Sequence, residues 1–385
     1  LSKIQQATTS TSKTSGGTKT VTNSQGKQIV PLGELGGTDS GKIRSFVWQG
    51  AIDAWLHNPI FGTGVETFAF AYYKYRPPGH NMTSEWDYLY NKAHNEYLNY
   101  LATTGAFGLL TYLAFIGLFL YLFSKDFYAF YKKPQEKKEN IDKPVTDKLL
   151  SLSLITSLFT ILISNFFGFS VVIVNVYLFV IPLFVLAINN YVDPQKVIFF
   201  PGAESKNTEV GYGQKMGISV MCIVGIYFIA VLINFWFADR EYGFANNLDK
   251  VGQYQLAFDP IHKAVENRPD EPVFKDELSI NDAYMAIAYA QQKDATNASR
   301  LVQEAIAASD DITTNHPNNV VFWKSRVRLM YTLAQANAQF IQPALEAIDK
   351  AHDLAPTDAK IDYNRGLLYA QDKQIDKGIS ILQET

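Results

Sequence analysis

The sequence predicts an all-α protein, in which a polytopic helical membrane region with four spans precedes a soluble domain of helical repeats. Two observations carry this prediction. Long apolar runs are concentrated between residues 106 and 237, and a helical pattern with a period of 34 residues follows them. The chain opens on Leu1 and stops inside a helical pattern, so we expect it to be a fragment of a longer protein.

The residues before the spans divide into two parts. Residues 1–41 are rich in Ser, Thr, Gly, Gln and Lys, with almost no aromatic side chain. Such a stretch buries too little apolar area to offset its ordering entropy, and we expect a flexible low-complexity loop. Residues 42–105, here called the outer segment, begin with apolar side chains at helical spacing. These are Ile43, Val47, Trp48, Ala51, Ile52 and Trp55.

The four spans are predicted over about 106–123, 149–167, 171–191 and 216–237, within a transmembrane region of 106–237. The apolar stretch from 149 to 192 would measure about 66 Å as one helix, roughly twice the bilayer core. It must therefore fold back, and the turn is expected near residues 165–170, where Asn, Gly and Ser occur together.

Charge in the connecting loops predicts the orientation. Residues 124–148 contain seven lysines, which favours a cytoplasmic loop, and the loop at 193–215 contains three more. The outer segment and residues 238–385 are then expected on the extracytoplasmic side. The net charge of -3 gives no support for nucleic-acid binding, and a single cysteine, Cys222, excludes an intrachain disulfide.

Residues 238–385 carry 22 acidic and 15 basic side chains, as expected of a mildly acidic soluble domain. Small, large, small and proline positions recur at offsets 0, 4, 7 and 12, and a third unit begins 34 residues after the second. This pattern resembles tetratricopeptide repeats, whose units stack because none buries its apolar face alone. The positions are Ala257, Ile261, Ala264 and Pro269, then Ala344, Ile348, Ala351 and Pro356, then Gly378 and Leu382.

Two side chains in the outer segment are candidates for chemistry. His94 lies in a helix predicted over 91–103, at the entrance to the first span, where a neutral imidazole could act as a base. A histidine that only hydrogen-bonds in the interfacial aromatic belt is the alternative. Arg44 supplies a cation that does not titrate, and its planar guanidinium can donate two hydrogen bonds to a phosphate. The alternative is that Arg44 is an ordinary surface charge.

Other residues could complete the site. Lys74 and Arg76 either extend the cationic patch or contact lipid headgroups. The turn at Gly62 and Gly64 either offers backbone N–H groups to a phosphate or is an ordinary turn. Two further histidines compete with His94 for the role of base. We expect a capping role at a helix end for His57 and an exposed turn position for His80.

The outer segment and first span resemble the bacterial O-antigen ligase and O-antigen polymerase family, which are membrane glycosyltransferases of the GT-C type. The resemblance covers about 41–123. It is carried by Arg44, by Asn-Pro-Ile-Phe-Gly-Thr-Gly at 58–64, and by Lys-Ala-His-Asn-Glu-Tyr-Leu at 92–98 followed by Gly-Ala-Phe-Gly-Leu at 105–109.

This resemblance implies an inverting, metal-independent transfer of a glycan from an undecaprenyl-diphosphate carrier to an acceptor hydroxyl outside the cytoplasmic membrane. His94 would be the base and Arg44 would face the diphosphate, and the resemblance implies no metal. We add Asn95, Gly62, Gly64, Lys74 and Arg76 as candidate substrate-binding residues, and we expect no cofactor. The expected partners are a glycan or protein acceptor, membrane lipid and a protein bound by the repeats.

Ligase and polymerase remain alternatives, since nothing in the sequence identifies the acceptor. The family also uses an arginine farther upstream, so we expect the fragment alone to be inactive. A different hypothesis is a non-catalytic membrane anchor that presents the repeat domain as a scaffold for envelope assembly. That hypothesis leaves the aromatic outer segment with its His and Arg unexplained.

Overall fold

The computed structural model describes residues 21–22, 28–29, 37–132, 143–189, 191 and 212–385. Apart from a short antiparallel pairing of Val21–Thr22 with Gln28–Ile29, the regular secondary structure of the described residues is helical, which confirms the predicted all-α class. Most of the low-complexity loop predicted over 1–41 lies outside the described residues. The helices are α1 Ser40–His57, α2 Phe68–Tyr75, α3 Glu96–Lys132, α4 Lys143–Phe167, α5 Val172–Ile188, α6 Tyr212–Lys250, α7 Tyr254–Asn267, α8 Pro272–Gln291, α9 Ala295–Asn315, α10 Val320–Ala334, α11 Ile341–Leu354, α12 Ala359–Gln371 and α13 Ile375–Glu384.

The outer segment has its own apolar core. Helix α1 begins where the Lys42 N–H donates to Asp39 Oδ2 at 3.1 Å, and it ends before Pro59. Its buried face is shifted from the predicted one, because Ala54 is buried while Ile52 is exposed. This face packs against α2 and the start of α3. The core consists of Ile43, Val47, Ala51, Ala54, Phe68, Tyr72, Tyr90, Ala93 and Ala102.

Helix α3 is broken at Gly105, whose φ of 68° and ψ of -171° are not helical. The turn at 58–64 fills the break. The N–H groups of Thr63 and Gly64 donate to the carbonyls of residues 102 and 103 at 3.0 and 2.9 Å. In the other direction, the N–H groups of residues 106 and 107 donate to Pro59 and Ile60 at 2.9 and 3.1 Å. Two carbonyls and two N–H groups at the break are therefore paired with the turn.

Three described helices are long and apolar enough to cross a membrane: Glu96–Lys132, Val145–Phe167 and Lys215–Lys250. The third of the four predicted spans, 171–191, corresponds to the shorter α5, whose 17 residues measure about 25 Å. The predicted fold-back is confirmed, because α4 ends at Phe167 and α5 begins at Val172. The core between α3, α4 and α5 consists of Tyr112, Ile116, Phe119, Ile155, Leu158, Leu178, Ile181 and Val185.

The two lysine-rich loops are only partly described. Helix α3 extends to Lys132 and α4 begins at Lys143, so both helices enter the loop that was predicted over 124–148. Residues 133–142, and most of the 193–215 loop, lie outside the described residues.

Helix α6 joins the membrane region to the C-terminal domain without interruption. It runs for 39 residues, about 58 Å, from the last span into the domain. Ala238 and Ala245 of its C-terminal part pack with Ala257, Ile261 and Ala264 of α7. The change of sequence pattern near residue 239 therefore marks the point where one continuous helix enters the repeat domain, and not the end of a helix.

The described residues after α6 form successive helix pairs: the end of α6 with α7, α8 with α9, α10 with α11, and α12 with α13. The predicted repeat positions Ala344, Ile348 and Ala351 are buried. Gly366 and Gly378 let α12 and α13 approach closely, because a Cβ at Gly378 would lie 2.7 Å from the Gly366 carbonyl oxygen. The helix pairs agree with the prediction, and membership in the tetratricopeptide class stays a prediction.

Candidate active site

His94 lies in the turn just before α3, on the side of the membrane region where the α4–α5 turn is also found. Its imidazole is half-buried and packs edge-on against Tyr90 and Phe169, with ring centroids 5.8 and 5.2 Å apart. Phe169 belongs to the α4–α5 turn, and the N–H of neighbouring Ser170 donates to Glu96 Oε2 at 3.2 Å. Three separate parts of the chain therefore surround the imidazole.

The backbone around His94 is fixed by two asparagines. Asn95 is the N-cap of α3, since its Oδ1 accepts the Leu98 N–H at 3.0 Å and its carbonyl accepts the Asn99 N–H at 2.9 Å. Asn99 Oδ1 accepts the Ala93 N–H at 3.3 Å. His94 itself has a φ of 52°, a conformation that costs energy for a residue with a Cβ.

The helix predicted over 91–103 is therefore wrong at its start, because Asn95 caps α3 and leaves His94 outside it. The Asn95 side chain, predicted to bind substrate, is buried and makes the cap. The observed contact of this side chain is the cap of α3, directly after His94.

Arg44 lies on α1, the helix that packs against the start of α3, and its charge acts on His94. It follows Ile43, whose buried side chain anchors that face of α1 in the outer-segment core, and its own side chain is half-buried. Burial lowers the pKa of His94, and the positive charge of Arg44 lowers the His94 pKa further. Two residues that are 50 positions apart in the sequence thus interact through the charge of one. Burial and the Arg44 charge both favour the neutral imidazole, the form that can accept a proton.

A buried aromatic network supports the site, and sequence reasoning missed it. His80, expected to be exposed, is fully buried, and its Nδ1 is 2.8 Å from Tyr72 Oη. The His80 ring packs against Tyr90 at 5.4 Å, and Tyr90 in turn donates a hydrogen bond to Glu85 and packs against His94. Burial lowers the pKa of His80 to about 4, with the Arg76 charge as a second cause. The density of aromatic residues over 65–92 was the available signal.

The glycine turn does not offer free N–H groups to a phosphate, which corrects the expectation for Gly62 and Gly64. The Gly62 N–H donates to the Asn58 carbonyl at 3.0 Å, and the Gly64 N–H is paired with α3. Gly62 has a φ of 69°, and a Cβ there would lie 2.4 Å from the Thr103 carbonyl carbon. These glycines allow the turn to fit the break in α3.

The two other predicted cations lie apart from this pair. Arg76 is buried and donates to the carbonyls of Trp86 at 2.9 Å and of Thr357 in the C-terminal domain at 3.2 Å. These partners replace the lipid or substrate contact that was predicted. Lys74 is exposed and lines a cavity of about 490 Å³ between α2 and the end of α9. His57, as expected, has a local role, since its Nδ1 donates to the Asp53 carbonyl at 2.8 Å.

Comparison with known proteins agrees with the position of this site. A protein-family model described as O-Antigen ligase matches residues 13–113, which include both Arg44 and His94. No curated protein matches the chain. A solved structure, the MamA RS-1 ArsTM double mutant, is similar at 16% identity over 38% of this chain and 93% of that chain, with a TM-score of 0.17.

Over the matched segment the chain is therefore similar to O-antigen ligases, a class of membrane glycosyltransferases. Together with the membrane-length helices, this match supports a membrane glycosyltransferase-like role in polysaccharide biosynthesis, with a lipid-linked glycan and an acceptor as substrates.

Proposed function

We propose that this protein transfers a glycan from undecaprenyl diphosphate to an acceptor hydroxyl on the outer face of the bacterial cytoplasmic membrane. His94 takes the proton of the acceptor hydroxyl as that oxygen attacks the anomeric carbon. The bond to the diphosphate breaks in the same step with inversion, and Arg44 stabilises the negative charge that develops on the leaving group. The chemistry uses neither a metal nor a cofactor.

The observation that supports this proposal is the half-buried imidazole of His94 at the start of a membrane-length helix, where burial and the charge of Arg44 both lower its pKa. A base for the acceptor and a cation for the diphosphate are the two groups that such a transfer needs. The aromatic wall of Tyr90 and Phe169 excludes part of the solvent and keeps the imidazole uncharged.

The orientation is part of the proposal. The seven lysines between 124 and 148 favour the cytoplasm, which puts the outer segment and the repeat domain outside. Hydrogen bonds between Arg76 and Thr357 support a common side for these two regions.

The remaining substrate and partner assignments follow from two cavities. We assign the polar cavity at Lys74 to acceptor recognition, because Asn315, Asn318 and Asn319 also line it and can hydrogen-bond sugar hydroxyls. A protein partner is assigned to the groove of about 480 Å³ between α10 and α12, which is lined by Lys324, Arg328 and Tyr331 among others.

The test uses the full-length protein with its preceding spans, in cells that lack the native gene. His94→Gln removes the base, and we expect glycan transfer to fall about 10²–10⁴-fold. The matched control is His57→Gln, an exposed histidine of the same outer segment, which should leave transfer unchanged. Unchanged transfer by the His94 variant at equal protein level would contradict the catalytic assignment.

A scaffold function is the second candidate, favoured by the direct contact between the repeat domain and the outer segment. It requires that deletion of residues 251–385 abolish function while the Arg44→Gln and His94→Gln variants remain active. The glycosyltransferase proposal requires both point variants to transfer glycan far more slowly than the wild type in the same assay.

A further inference from the structure

Three potential metal ligands meet in the repeat domain, far along the chain from the proposed active site. His262 on α7, Asp282 on α8 and Glu304 on α9 each offer one ligand atom, and these three atoms all lie within 4.8 Å of one another. The cluster brings together three consecutive helices, which belong to two successive helix pairs.

Asp282 is the unusual member of the cluster. Its side chain is 0% exposed, and neither carboxylate oxygen has a hydrogen-bond donor. A buried carboxylate that lacks donors is costly unless a cation or a proton compensates it. Burial accordingly raises the pKa of Asp282 to about 8. A carboxylate in this position has the charge and the lone pairs to bind a cation.

His262 is already held in the tautomer that binds metal. Its Nδ1 lies 2.9 Å from the Phe258 carbonyl oxygen, which can only accept, so the proton is on Nδ1 and the Nε2 lone pair is free. Metal-binding histidines commonly have such a second hydrogen bond, which fixes the ring.

The spacing of the His262 and Asp282 ligand atoms fits a metal better than a hydrogen bond. His262 Nε2 and Asp282 Oδ1 are 3.6 Å apart, which is too long for a hydrogen bond. Two ligands about 2.1 Å from a tetrahedral zinc ion would be roughly 3.4 Å apart.

We propose that His262, Asp282 and Glu304 bind one Zn²⁺ ion that joins α7, α8 and α9. One imidazole with two carboxylates suits zinc, whereas magnesium and calcium prefer oxygen ligands alone. Three protein ligands leave the fourth position to water, and the partly exposed side chains of His262 and Glu304 give solvent access to it.

The neighbouring Arg300 is compatible with this site. Its Nη1 donates to both Glu304 oxygens at 2.8 Å. Each carboxylate oxygen has more than one lone pair, so Glu304 can keep one Arg300 hydrogen bond and give an oxygen to the metal. Arg300 then acts as an outer partner that orients the Glu304 ligand.

The experiment uses the whole chain in detergent, purified without a histidine tag and stripped with a chelator. ZnCl₂ alone is titrated, and bound zinc and thermal unfolding are measured for the wild type and for Asp282→Asn, Glu304→Gln and His262→Gln. We expect one zinc per chain in the wild type. Free zinc at 100 times the Kd should raise the folded-to-unfolded ratio about a hundredfold. All three variants should lose this response.

The matched control is His352→Gln. His352 Nδ1 is 2.7 Å from Asp362 Oδ1, a second His–Asp pair in the repeat domain that the described residues do not complete with a third ligand. This variant should bind zinc as the wild type does.

Two further measurements keep the test decisive. Without metal, Asp282→Asn should be about as stable as the wild type, because it keeps the shape of a side chain whose oxygens have no hydrogen-bond donors to lose, so a folding defect does not explain a lost response. Cobalt in place of zinc should give the visible absorption of a tetrahedral site. The proposal is overturned if wild-type and Asp282→Asn chains bind zinc equally, or if neither binds it.

Discussion

Arg76 and Thr357 exchange hydrogen bonds across 281 residues of sequence. Arg76 Nη2 donates to the Thr357 carbonyl at 3.2 Å, and Thr357 Oγ1 donates to the Arg76 carbonyl at 2.9 Å. Asn81 Nδ2 also donates to the Thr357 carbonyl at 2.8 Å, and Lys360 pairs with Asp87 at 2.7 Å. The repeat domain is therefore joined to the segment that forms the buried aromatic support of His94.

Replacing Arg76 with Ala tests whether this junction is structural. The change removes a buried guanidinium that donates to the Trp86 and Thr357 carbonyls, and we expect the free energy of unfolding to fall by about 1–3 kcal/mol. Denaturant unfolding in detergent and protease cleavage between the outer segment and the repeats would measure the loss. Lys74→Ala, an exposed cation two residues earlier, is the control. An Arg76→Ala protein with unchanged stability and abolished transfer would instead indicate substrate binding.

Gly105→Ala tests the break in α3. The positive φ alone costs a residue with a Cβ about 1–2 kcal/mol, and the added atom would lie 2.2 Å from the Ile60 carbonyl oxygen. We expect lower stability and a displaced His94, seen as lower transfer at equal protein level. Gly117→Ala in the same helix, where no atom lies within 4 Å of the new Cβ, is the control. Equal behaviour of both variants would refute a structural need for the break.

The pH dependence of transfer tests the pairing of Arg44 with His94. Protonation removes the base, so the rate should fall as the pH falls through the pKa of His94, which burial and Arg44 hold below its ordinary value of about 6.5. Arg44→Gln removes the nearby positive charge. The His94 pKa should then rise, and the acid limb of the residual activity should move to higher pH. A rate profile with no such movement would argue against the pairing.

His80 should make folding sensitive to acid. Its pKa of about 4 in the folded protein lies below the unfolded value, so the unfolded state binds the proton first as the pH falls. Stability should be complete above about pH 6.5 and decline by about 3 kcal/mol toward pH 4. His80→Asn, which keeps a polar atom near Tyr72, should remove this part of the pH dependence. The test compares denaturant unfolding of both proteins between pH 4 and 7, with exposed His57→Gln as control.

The helical class, the fold-back before residue 172 and the buried repeat positions were predictable, because each depends on local periodicity or on the length of an apolar run. The assignment of Arg44 and His94 to one site came from the family resemblance, which spans both. His80 was misjudged because its neighbours in sequence are turn formers, while its burial depends on Tyr72 and Tyr90 in three dimensions. The role of Gly62 was missed for a similar reason, since its constraint comes from the backbone of Thr103.

The break in α3 and the start of that helix could not be deduced from helical periodicity. Residues on both sides of Gly105 favour helix, and only the hydrogen bonds from the 58–64 turn make the interruption stable. His94 was placed inside the helix for the same reason, because a cap at Asn95 and a helical Asn give similar patterns in a single sequence.

Helix α6 continues without a break from the last apolar span into the repeat domain, so no flexible linker separates the two. One residue inserted after Phe237 would turn the whole array by about 100° and lift it by about 1.5 Å. Such a rotation would carry Thr357 away from Arg76, even though every residue at both ends was retained. The number of residues in α6 thus sets both the distance of the repeat domain from the bilayer and its rotation about the helix axis.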